Sequence, residues 1–329
     1  MQHFALIGSG FMGNVHAASL ARHPSVSFDL VADIDEERAG ATADKYGARA
    51  ISVDSVFESD VDAVLIASST DTHADLMERA ADAGKAIYCE KPIDLDLERA
   101  KRACHAVERA GVAFMIGFNR RFDRSHAGVK EAIDAGEIGR IEIVQLTSRG
   151  PTPPPISYVK VSGGQMRDQT IHFFDLARWL TSDEPVEIFA MGGALIDPAV
   201  GEAGDVDTSL GVMRMASGAL CQIDCSRRTA YGYDERLEVF GSLGMAESRR
   251  QRVSDVSLYK GRYVVEAGMH PDWFDRVEET YYAALDAFVR VLEGENLALP
   301  SLVDGLAAQT IADAATRSLQ SGTPVRLDS

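Results

Sequence analysis

The segment GGQMRDQTIHFFDLARWL, from Gly163 to Leu180, places an acid and an imidazole four residues apart. Its pattern predicts an amphipathic helix, on which Asp168 and His172 share one face with large apolar side chains. A buried imidazole needs a hydrogen-bonding partner, so a histidine that serves packing alone is one explanation. The other is proton transfer, because oxidation of a secondary alcohol removes a hydride from carbon and a proton from oxygen. Histidine titrates near neutral pH and suits the role of base.

A lysine offers the charge that such a reaction needs. Lys91 stands in CEKP, at the end of a predicted strand and before Pro92, which restricts the backbone ahead of it. Most lysines in such loops are only solvated, but one beside a cofactor cleft can polarise an oxygen and stabilise developing negative charge. The hydride itself has to go to a cofactor.

The motif GSGFMG, with Gly8, Gly10 and Gly13, indicates that cofactor. It follows an apolar strand and opens a helix, as a dinucleotide-binding turn requires. The first glycine permits the turn, the second lets the pyrophosphate approach, and the third allows close helix–strand packing. Asp33 follows the second apolar run and is expected to accept hydrogen bonds from a ribose diol. We therefore predict NAD rather than NADP; the alternative is a structural glycine turn with a solvated aspartate.

Further cofactor contacts are predicted where neighbouring strands end. Short hydroxyl side chains suit that position in the loop after AVLIAS, whereas His73 equally suits a helix cap or a place in solvent. The predicted cofactor-binding residues are Gly8, Gly10, Phe11, Met12, Gly13, Asp33, Ile34, Ser69, Thr70, His73 and Glu90.

Two kinds of framework must position these residues. Up to about Phe118 short apolar strands alternate with helical patterns, which predicts an α/β Rossmann domain with a doubly wound parallel sheet. Several strands then follow without helices between them, and this predicts an α+β domain with a large, mostly antiparallel open sheet. Helical patterns near 273–293 and 302–319 come last. We place the first domain at 1–119 and the second at 120–329.

Composition narrows the class of protein. The net charge of −17 over 329 residues disfavours nucleic acid or an anionic membrane as a partner. No apolar run reaches the roughly 18 residues of a membrane span, and MQHFALIGSG lacks the features of a signal peptide, so we predict a cytoplasmic protein. The cysteines lack CxxC spacing, which predicts buried thiols with no metal site and no disulfide; they are Cys89, Cys104, Cys221 and Cys225.

Taken together, the motifs resemble a known family over nearly the whole chain. The GxGxxG start, CEKP, and GFNRRFD at Gly117–Asp123 resemble the Gfo/Idh/MocA oxidoreductases. The segment from Gly163 to Leu180 and YGYDERLEVFGSLGM at Tyr231–Met245 narrow the resemblance to the inositol 2-dehydrogenases within that family.

The resemblance implies an activity and a site. The activity is NAD-dependent oxidation of a secondary alcohol of a cyclic polyol, myo-inositol or a related inositol or sugar, to the ketone. The implied catalytic set is Lys91, Asp168 and His172, with His172 as the base. The implied contacts to polyol hydroxyls are Asn119, Arg120, Tyr231 and Tyr233. A homodimer or homotetramer is also implied, because an open sheet face needs covering.

Three residues depart from the inositol dehydrogenase pattern, namely Gly150, Gln169 and Phe174. We expect them on or beside the wall of the substrate site. The proline-rich loop Pro151–Pro155 is expected to border the substrate cleft as a semi-rigid lid.

Other functions remain open at this point. One is a dehydrogenase or reductase of a different sugar, including a nucleotide-linked sugar. The other is a non-catalytic regulator that senses the cofactor on the same fold. A regulator has no need of a lysine, an acid and a histidine together, and their joint presence favours an enzyme.

Overall fold

The chain folds into two compact units, each built on its own sheet. The structure, a computed structural model, describes residues 1–327. The first unit combines Met1–Phe122 with Glu278–Gln309, and the second combines Asp123–Val277 with the chain from Thr310 onwards.

A six-stranded parallel sheet lies at the centre of the first unit. Its strands are β1 (Gln2–Ile7), β2 (Val26–Ala32), β3 (Arg49–Ala50), β4 (Ala63–Ile66), β5 (Ala86–Cys89) and β6 (Phe114–Ile116). Their order is β3-β2-β1-β4-β5-β6, so the direction of winding reverses between β1 and β4. Dinucleotides bind at such a reversal, outside the carboxyl ends of the strands. The predicted doubly wound sheet is confirmed; only the two-residue β3 was not predicted.

Helices connect these strands, and capping residues fix their ends. The helices are α1 (Phe11–Arg22), α2 (Glu36–Tyr46), α3 (Val53–Phe57), α4 (Thr70–Asp82) and α5 (Leu97–Ala110). The side chains of Asp35 and Asp96 accept backbone N–H groups at the starts of α2 and α5. Gly47 and Gly111 end the same two helices in the left-handed conformation, which glycine adopts without steric cost.

The glycine turn between β1 and α1 is packed backbone against backbone. Gly8 has a φ of +99°, and a Cβ there would lie 2.5 Å from the backbone nitrogen of Ser68. A Cβ on Gly13 would lie 2.0 Å from the carbonyl oxygen of Gly8, which allows no side chain. A Cβ on Gly10 would meet no atom within 4 Å, so space is open beside it. The geometry agrees with the distinct role predicted for each glycine.

The core of the first unit includes a helix from late in the chain. Phe4, Leu6 and Tyr88 of the sheet pack in one cluster with Leu285 and Phe288, which belong to α10 (Trp273–Leu292). The predicted division between 119 and 120 does not describe this segment, because chain order does not reveal which sheet a helix covers.

A seven-stranded, mostly antiparallel sheet lies at the centre of the second unit. The strands of this unit are β7 (Ile141–Arg149), β8 (Pro185–Gly193), β9 (Thr208–Met215), β10 (Leu220–Ser226), β11 (Asp234–Gly241), β12 (Met245–Ser248), β13 (Ser257–Lys260), β14 (Tyr263–Glu266) and β15 (Val325–Arg326). The order is β12-β11-β7-β10-β9-β8-β15, while β13 and β14 form a separate hairpin. Every neighbouring pair in the large sheet is antiparallel except β7 and β10. The predicted second sheet is confirmed.

Helices cover one face of that sheet. The remaining helices are α6 (Arg124–Asp134), α7 (Ile156–Val159), α8 (Ile171–Thr181), α9 (Pro198–Glu202) and α11 (Leu302–Ser321). Side chains alternate along β7, where Val144 and Leu146 are buried in the core and Ile143 is 39% exposed on the other face. Phe173 and Leu176 of α8 complete the core.

The helix that carries His172 differs from the amphipathic helix predicted. It begins with a π-helical turn at Met166–Thr170, which runs directly into α8. Every residue from Ile171 to Arg178 is buried, including Asp175. The polar residues in this stretch therefore lie inside the unit, where polar groups need partners.

Three findings bear on the predicted class of protein. All four cysteines are buried free thiols, and burial raises the pKa values of Cys104, Cys221 and Cys225 to about 12. No helix within residues 1–327 is long and apolar enough to cross a membrane. The same residues contain no group of three or more histidine, cysteine or acidic side chains that could hold a metal ion.

The glycine turn generates a stability prediction. We expect Gly13→Ala to lower the free energy of unfolding by about 1–3 kcal/mol, because its methyl group would collide with a backbone oxygen that cannot move aside. Gly10→Ala is the matched control and should lower the melting temperature less, because its methyl group meets no atom and only the weaker N-cap preference of alanine acts. Thermal unfolding without cofactor measures both variants, and equal stability of the two would contradict the packing described.

Candidate active site

Asp33 lies at the carboxyl edge of the first sheet, directly after β2. Its Oδ2 accepts the backbone N–H of Ser9 over 2.6 Å, and its Oδ1 accepts that of Asp35 over 2.9 Å. The carboxylate is thus fixed beside the glycine turn, where a ribose diol is expected. Ile34 next to it is 94% exposed and offers an apolar surface. Arg38 donates to Asp35 over 3.0 Å, which engages the arginine nearest to this edge.

The start of α1 has the features of a phosphate-binding helix end. Gly10 is its N-terminal cap, no side chain caps it, and its first turn contains no acidic residue. Asn14 donates to the carbonyl oxygens of Ser9 and Gly10 over 2.9 and 3.0 Å and holds the turn in shape. A helix N-terminus with open space beside it favours an anionic group. Together with Asp33, this cradle fits the pyrophosphate and ribose of NAD.

The loop after β4 holds the other predicted cofactor residues. Ser69 caps α4 with its backbone, and Thr70 is the first residue of that helix. His73 is buried, with Nδ1 2.8 Å from the carbonyl oxygen of Pro92 and Nε2 3.1 Å from that of Ser68. Burial lowers the pKa of His73, although the two carbonyl contacts act in the opposite direction. His73 therefore joins this loop to the segment after β5, and the solvated position considered for it is wrong.

Glu90 and Lys91 follow β5 at the same edge of the sheet. The Glu90 side chain points into the unit, where Oε1 lies 2.7 Å from Nε2 of His16. Its Oε2 accepts the backbone N–H of Lys91 over 3.2 Å. Lys91 itself is partly exposed, as a residue that meets a ligand has to be.

Asn119 and Arg120 lie in a short 3₁₀ turn, Asn119–Phe122, in the first unit. Asn119 is fully buried, donates to Oγ1 of Thr280 over 2.7 Å and accepts from Arg120 over 3.0 Å. Its amide is therefore engaged inside the protein, which favours a positioning role over the substrate contact that the resemblance implies.

In the second unit, Asp168 stands in the π-helical turn and is anchored from two sides. Its Oδ1 accepts the hydroxyl of Tyr158 over 2.8 Å, and its Oδ2 accepts an N–H of Arg227 over 3.0 Å. Arg227 is buried, and its Nε and one terminal nitrogen have no hydrogen-bond partner among residues 1–327. Such a guanidinium fixes the carboxylate and retains donors for an oxygen-bearing ligand.

His172 is the second residue of α8 and is 8% exposed. The nearby Gln169 donates to both oxygens of Ser148 and to the carbonyl oxygen of Ser226, which ties the π-helical turn to β7 and β10. Phe174 belongs to the hydrophobic core. Its expected place on or beside the substrate wall stays a prediction, since the neighbouring His172 is buried as well.

The two tyrosines implied as substrate contacts have different environments. Tyr231 is 48% exposed, and its hydroxyl donates to Asp234 over 2.9 Å. Tyr233 is buried, and its hydroxyl donates to Glu235 over 2.6 Å. Tyr231 is therefore the accessible one of the pair.

Sequence reasoning missed Tyr158, Arg227 and His16. Arg227 follows β10 at a strand end, and Tyr158 follows the proline-rich loop, but neither position indicates a carboxylate as partner. His16 sits on the buried side of α1, with the spacing of an ordinary core residue. Tyr158 brings the chain just after Pro151–Pro155 to Asp168; the lid role of that loop stays a prediction.

Two family models match the chain. Residues 2–118 match the oxidoreductase family with an NAD-binding Rossmann fold, and residues 126–247 match the GFO/IDH/MocA C-terminal domain.

Curated relatives cover almost the full length. An inositol 2-dehydrogenase of Rhizobium meliloti is 44% identical over 96% of each chain. A myo-inositol 2-dehydrogenase of Thermotoga maritima is 38% identical over 98% of each chain.

Solved structures agree with these relatives. A crystal structure described as a putative myo-inositol dehydrogenase from Sinorhizobium meliloti superposes with a TM-score of 0.95, at 42% identity and full coverage of both chains. A myo-inositol dehydrogenase from Corynebacterium glutamicum has a TM-score of 0.94 at 35% identity, covering 100% of this chain and 99% of that one.

The cofactor cradle, the family models and the full-length relatives agree. The chain has an NAD-binding Rossmann domain, followed by the C-terminal domain of the same family. It belongs to the Gfo/Idh/MocA oxidoreductase family.

Proposed function

We propose that this protein is an NAD-dependent dehydrogenase that oxidises one secondary alcohol of an inositol, or of a closely related cyclic polyol, to the ketone. The observation that carries the proposal is an anchored carboxylate four residues before a buried histidine. Asp168 is held by Tyr158 and Arg227 at the start of the helix whose second residue is His172. The names of the full-length relatives, inositol 2-dehydrogenases, support the substrate class.

The residues of the chain have separate tasks in this reaction. NAD, when bound, accepts the hydride that leaves the substrate carbon. His172 takes the hydroxyl proton, so that the C–O single bond becomes a carbonyl. Lys91 stabilises negative charge on that oxygen while the proton leaves. Asp168 provides a fixed negative charge that compensates the positive charge which His172 acquires when it takes the proton.

Several observations support the remaining parts of the proposal. The partly exposed Tyr231 is the better of the two tyrosines for a polyol hydroxyl. The four free thiols suit a reducing compartment such as the cytoplasm.

Asp33 generates a prediction about cofactor choice. We expect the protein to prefer NAD, because the 2′-phosphate of NADP would meet a carboxylate at a cost of several kcal/mol, on the order of 100-fold in kcat/KM. Asp33→Ser should reduce that preference by about the same factor. The control is Glu37→Ser, which removes an equal charge from the exposed first turn of α2. Equal kcat/KM with the two cofactors in the unmodified protein would contradict the assignment.

The catalytic residues generate a second prediction. We expect His172→Ala to lower kcat by roughly 10²–10⁴, with little change in NAD affinity, because the cofactor cradle lies in the other unit. Lys91→Met should also lower kcat. The exposed His105→Ala, on α5, is the control and should keep full activity. Steady-state kinetics with a melting curve for each variant distinguishes a catalytic role from a packing role, in which stability falls and kcat is kept.

The role of Asp168 has to be tested with a double-mutant cycle. Asp168→Asn leaves the buried Arg227 without its ion-pair partner, so a loss of stability accompanies any effect on the base. The cycle with Arg227→Met separates the two effects: stability should recover in the double variant, whereas kcat should stay low. Recovery of kcat as well would exclude a direct role for the carboxylate.

A substrate panel decides between the proposed function and its alternatives. We expect reduced cofactor to form with myo-inositol or another inositol isomer. Turnover only with free or nucleotide-linked sugars would favour the alternative enzymes, and NAD binding without any turnover would favour a regulator. These outcomes are read from the absorbance of the reduced cofactor.

The proposal includes a homo-oligomer that forms through the uncovered face of the second sheet. Paired apolar side chains lie exposed on that face, with Met191 opposite Leu210 and Ile143 opposite both Leu220 and Phe240. Exposed apolar side chains of this kind on a sheet face favour an interaction surface, and a second copy of the chain presents a self-complementary match.

The exposed face of the second sheet generates a prediction about self-association. We expect a particle larger than the 35.6 kDa chain, and Leu210→Glu should shift it towards the monomer because a buried carboxylate opposes association. Leu195→Glu changes another exposed leucine, which lies outside the strands, and is the control. Light scattering after gel filtration measures all three proteins. A monomeric unmodified protein would overturn the oligomer proposal and leave the dehydrogenase proposal untouched.

A further inference from the structure

The proposed mechanism leaves one buried pair unused, His16 on α1 and Glu90 after β5. His16 is fully buried, and its Nε2 lies 2.7 Å from Oε1 of Glu90. The other oxygen of this carboxylate accepts the backbone N–H of Lys91 over 3.2 Å. A chain of two hydrogen bonds therefore runs from the helix that begins at the glycine turn to the proposed catalytic lysine.

Tight packing restricts the side chains of His16 and Glu90 to one arrangement. The His16 ring meets the rings of Tyr88 and Tyr281 edge to face, with centroids 5.2 and 5.6 Å away. On the other side, a Cβ built on Gly117 would lie 3.0 Å from the carboxyl group of Glu90, so this carboxyl group packs directly on the bare backbone. Side chains held from both sides cannot adopt other rotamers without strain.

The charge of the pair is defined by its surroundings. Burial raises the pKa of Glu90, but the hydrogen bond from His16 and the charges of His16, Lys91 and His73 outweigh it, so the net pKa lies below the ordinary value. Nδ1 of His16 has no hydrogen-bond partner among residues 1–327. A proton on Nε2 lets the ring donate to the carboxylate.

We propose that His16 is a positioning residue of this enzyme, which holds the Glu90 carboxylate in the orientation that fixes the backbone of Lys91. The inference rests on the function proposed for Lys91. It also gives α1 a second task, because the helix that receives the cofactor phosphates braces the lysine as well.

Three substitutions of His16 test this. His16→Phe keeps an aromatic ring between the two tyrosines but removes both nitrogens. His16→Gln places an amide N–H near the position of Nε2, whereas His16→Asn places one near Nδ1. We expect His16→Phe and His16→Asn to lower kcat by roughly 10- to 100-fold, as a small displacement of a catalytic group does. His16→Gln should keep most of the activity of the unmodified protein. The affinity for NAD, measured by calorimetry, should change by less than about threefold, because the cradle is intact.

A merely structural role predicts a different pattern. The three variants would then lose melting temperature while kcat per folded molecule stayed normal. Normal kcat in His16→Phe, or equal losses of kcat in the Gln, Asn and Phe variants, would overturn the proposal. His105→Phe, on the exposed side of α5, is the matched control and should retain full activity.

A second readout does not depend on turnover. Acetic anhydride reacts with the neutral amine, and mass spectrometry of the peptide that contains Lys91 gives its labelling rate in the NAD-loaded protein. When the carboxylate turns away, the surroundings of the Lys91 side chain change, so His16→Phe should speed labelling by about threefold or more and His16→Gln should not. Unchanged labelling in His16→Phe would overturn the inference. Inactivity of the unmodified protein on every polyol would instead overturn the proposed function, while the labelling still decides the role of His16.

Gly117→Ala approaches the same carboxylate from the opposite side and leaves His16 intact. Its methyl group would press on the Glu90 carboxyl group, so kcat should fall and labelling of Lys91 should rise, as in His16→Phe. Gly128→Ala, in α6, adds a methyl group where no atom lies within 4 Å and is the control. Normal kcat and labelling in Gly117→Ala would contradict the requirement for a fixed Glu90.

Discussion

The approach of backbone to backbone at Gly8 and Gly13 is the constraint on which the cofactor side of this protein depends. Neither position has room for a methyl group, since Ser68 borders one and the Gly8 carbonyl borders the other. This contact sets the direction of α1, and with it the helix N-terminus, the Ser9 amide that holds Asp33, and the buried face that carries His16. Loss of this contact would therefore displace both the helix N-terminus beside Asp33 and the proposed His16–Glu90 brace of Lys91.

Sequence reasoning predicted the elements whose pattern is local. Strands β1 and β4 each contain an uninterrupted run of four apolar residues, and left-handed glycines end α2 and α5, so one pass along the chain identifies them. The two-residue β3 and β15 are too short for a periodicity, and their pairing depends on long-range register. The π-helical turn at Met166–Thr170 was not predicted either, because its residues also suit an ordinary helix.

In the candidate site, too, residues that follow from local spacing were predicted, whereas partners that meet only after folding were not. Gly10 and Asp33 could be assigned from spacing, because the dinucleotide motif fixes their separation in the chain. The partners of Asp168 could not, since Tyr158 and Arg227 lie 10 and 59 residues away and meet only in the folded unit. The resemblance to a family supplied Asn119 and Tyr233, but only the structure reveals that both are buried and engaged inside the protein.

The return of Glu278–Gln309 to the first unit affects the order in which the protein can fold during synthesis. The ribosome completes all six strands of the parallel sheet by Ile116, yet Leu285 and Phe288, which cover Phe4 and Tyr88, emerge only after the whole second sheet except β15. Until then the nascent sheet has an uncovered apolar surface of the kind that chaperones bind. The nucleotide-binding half is therefore begun first and finished late, so the chain does not mature one domain at a time.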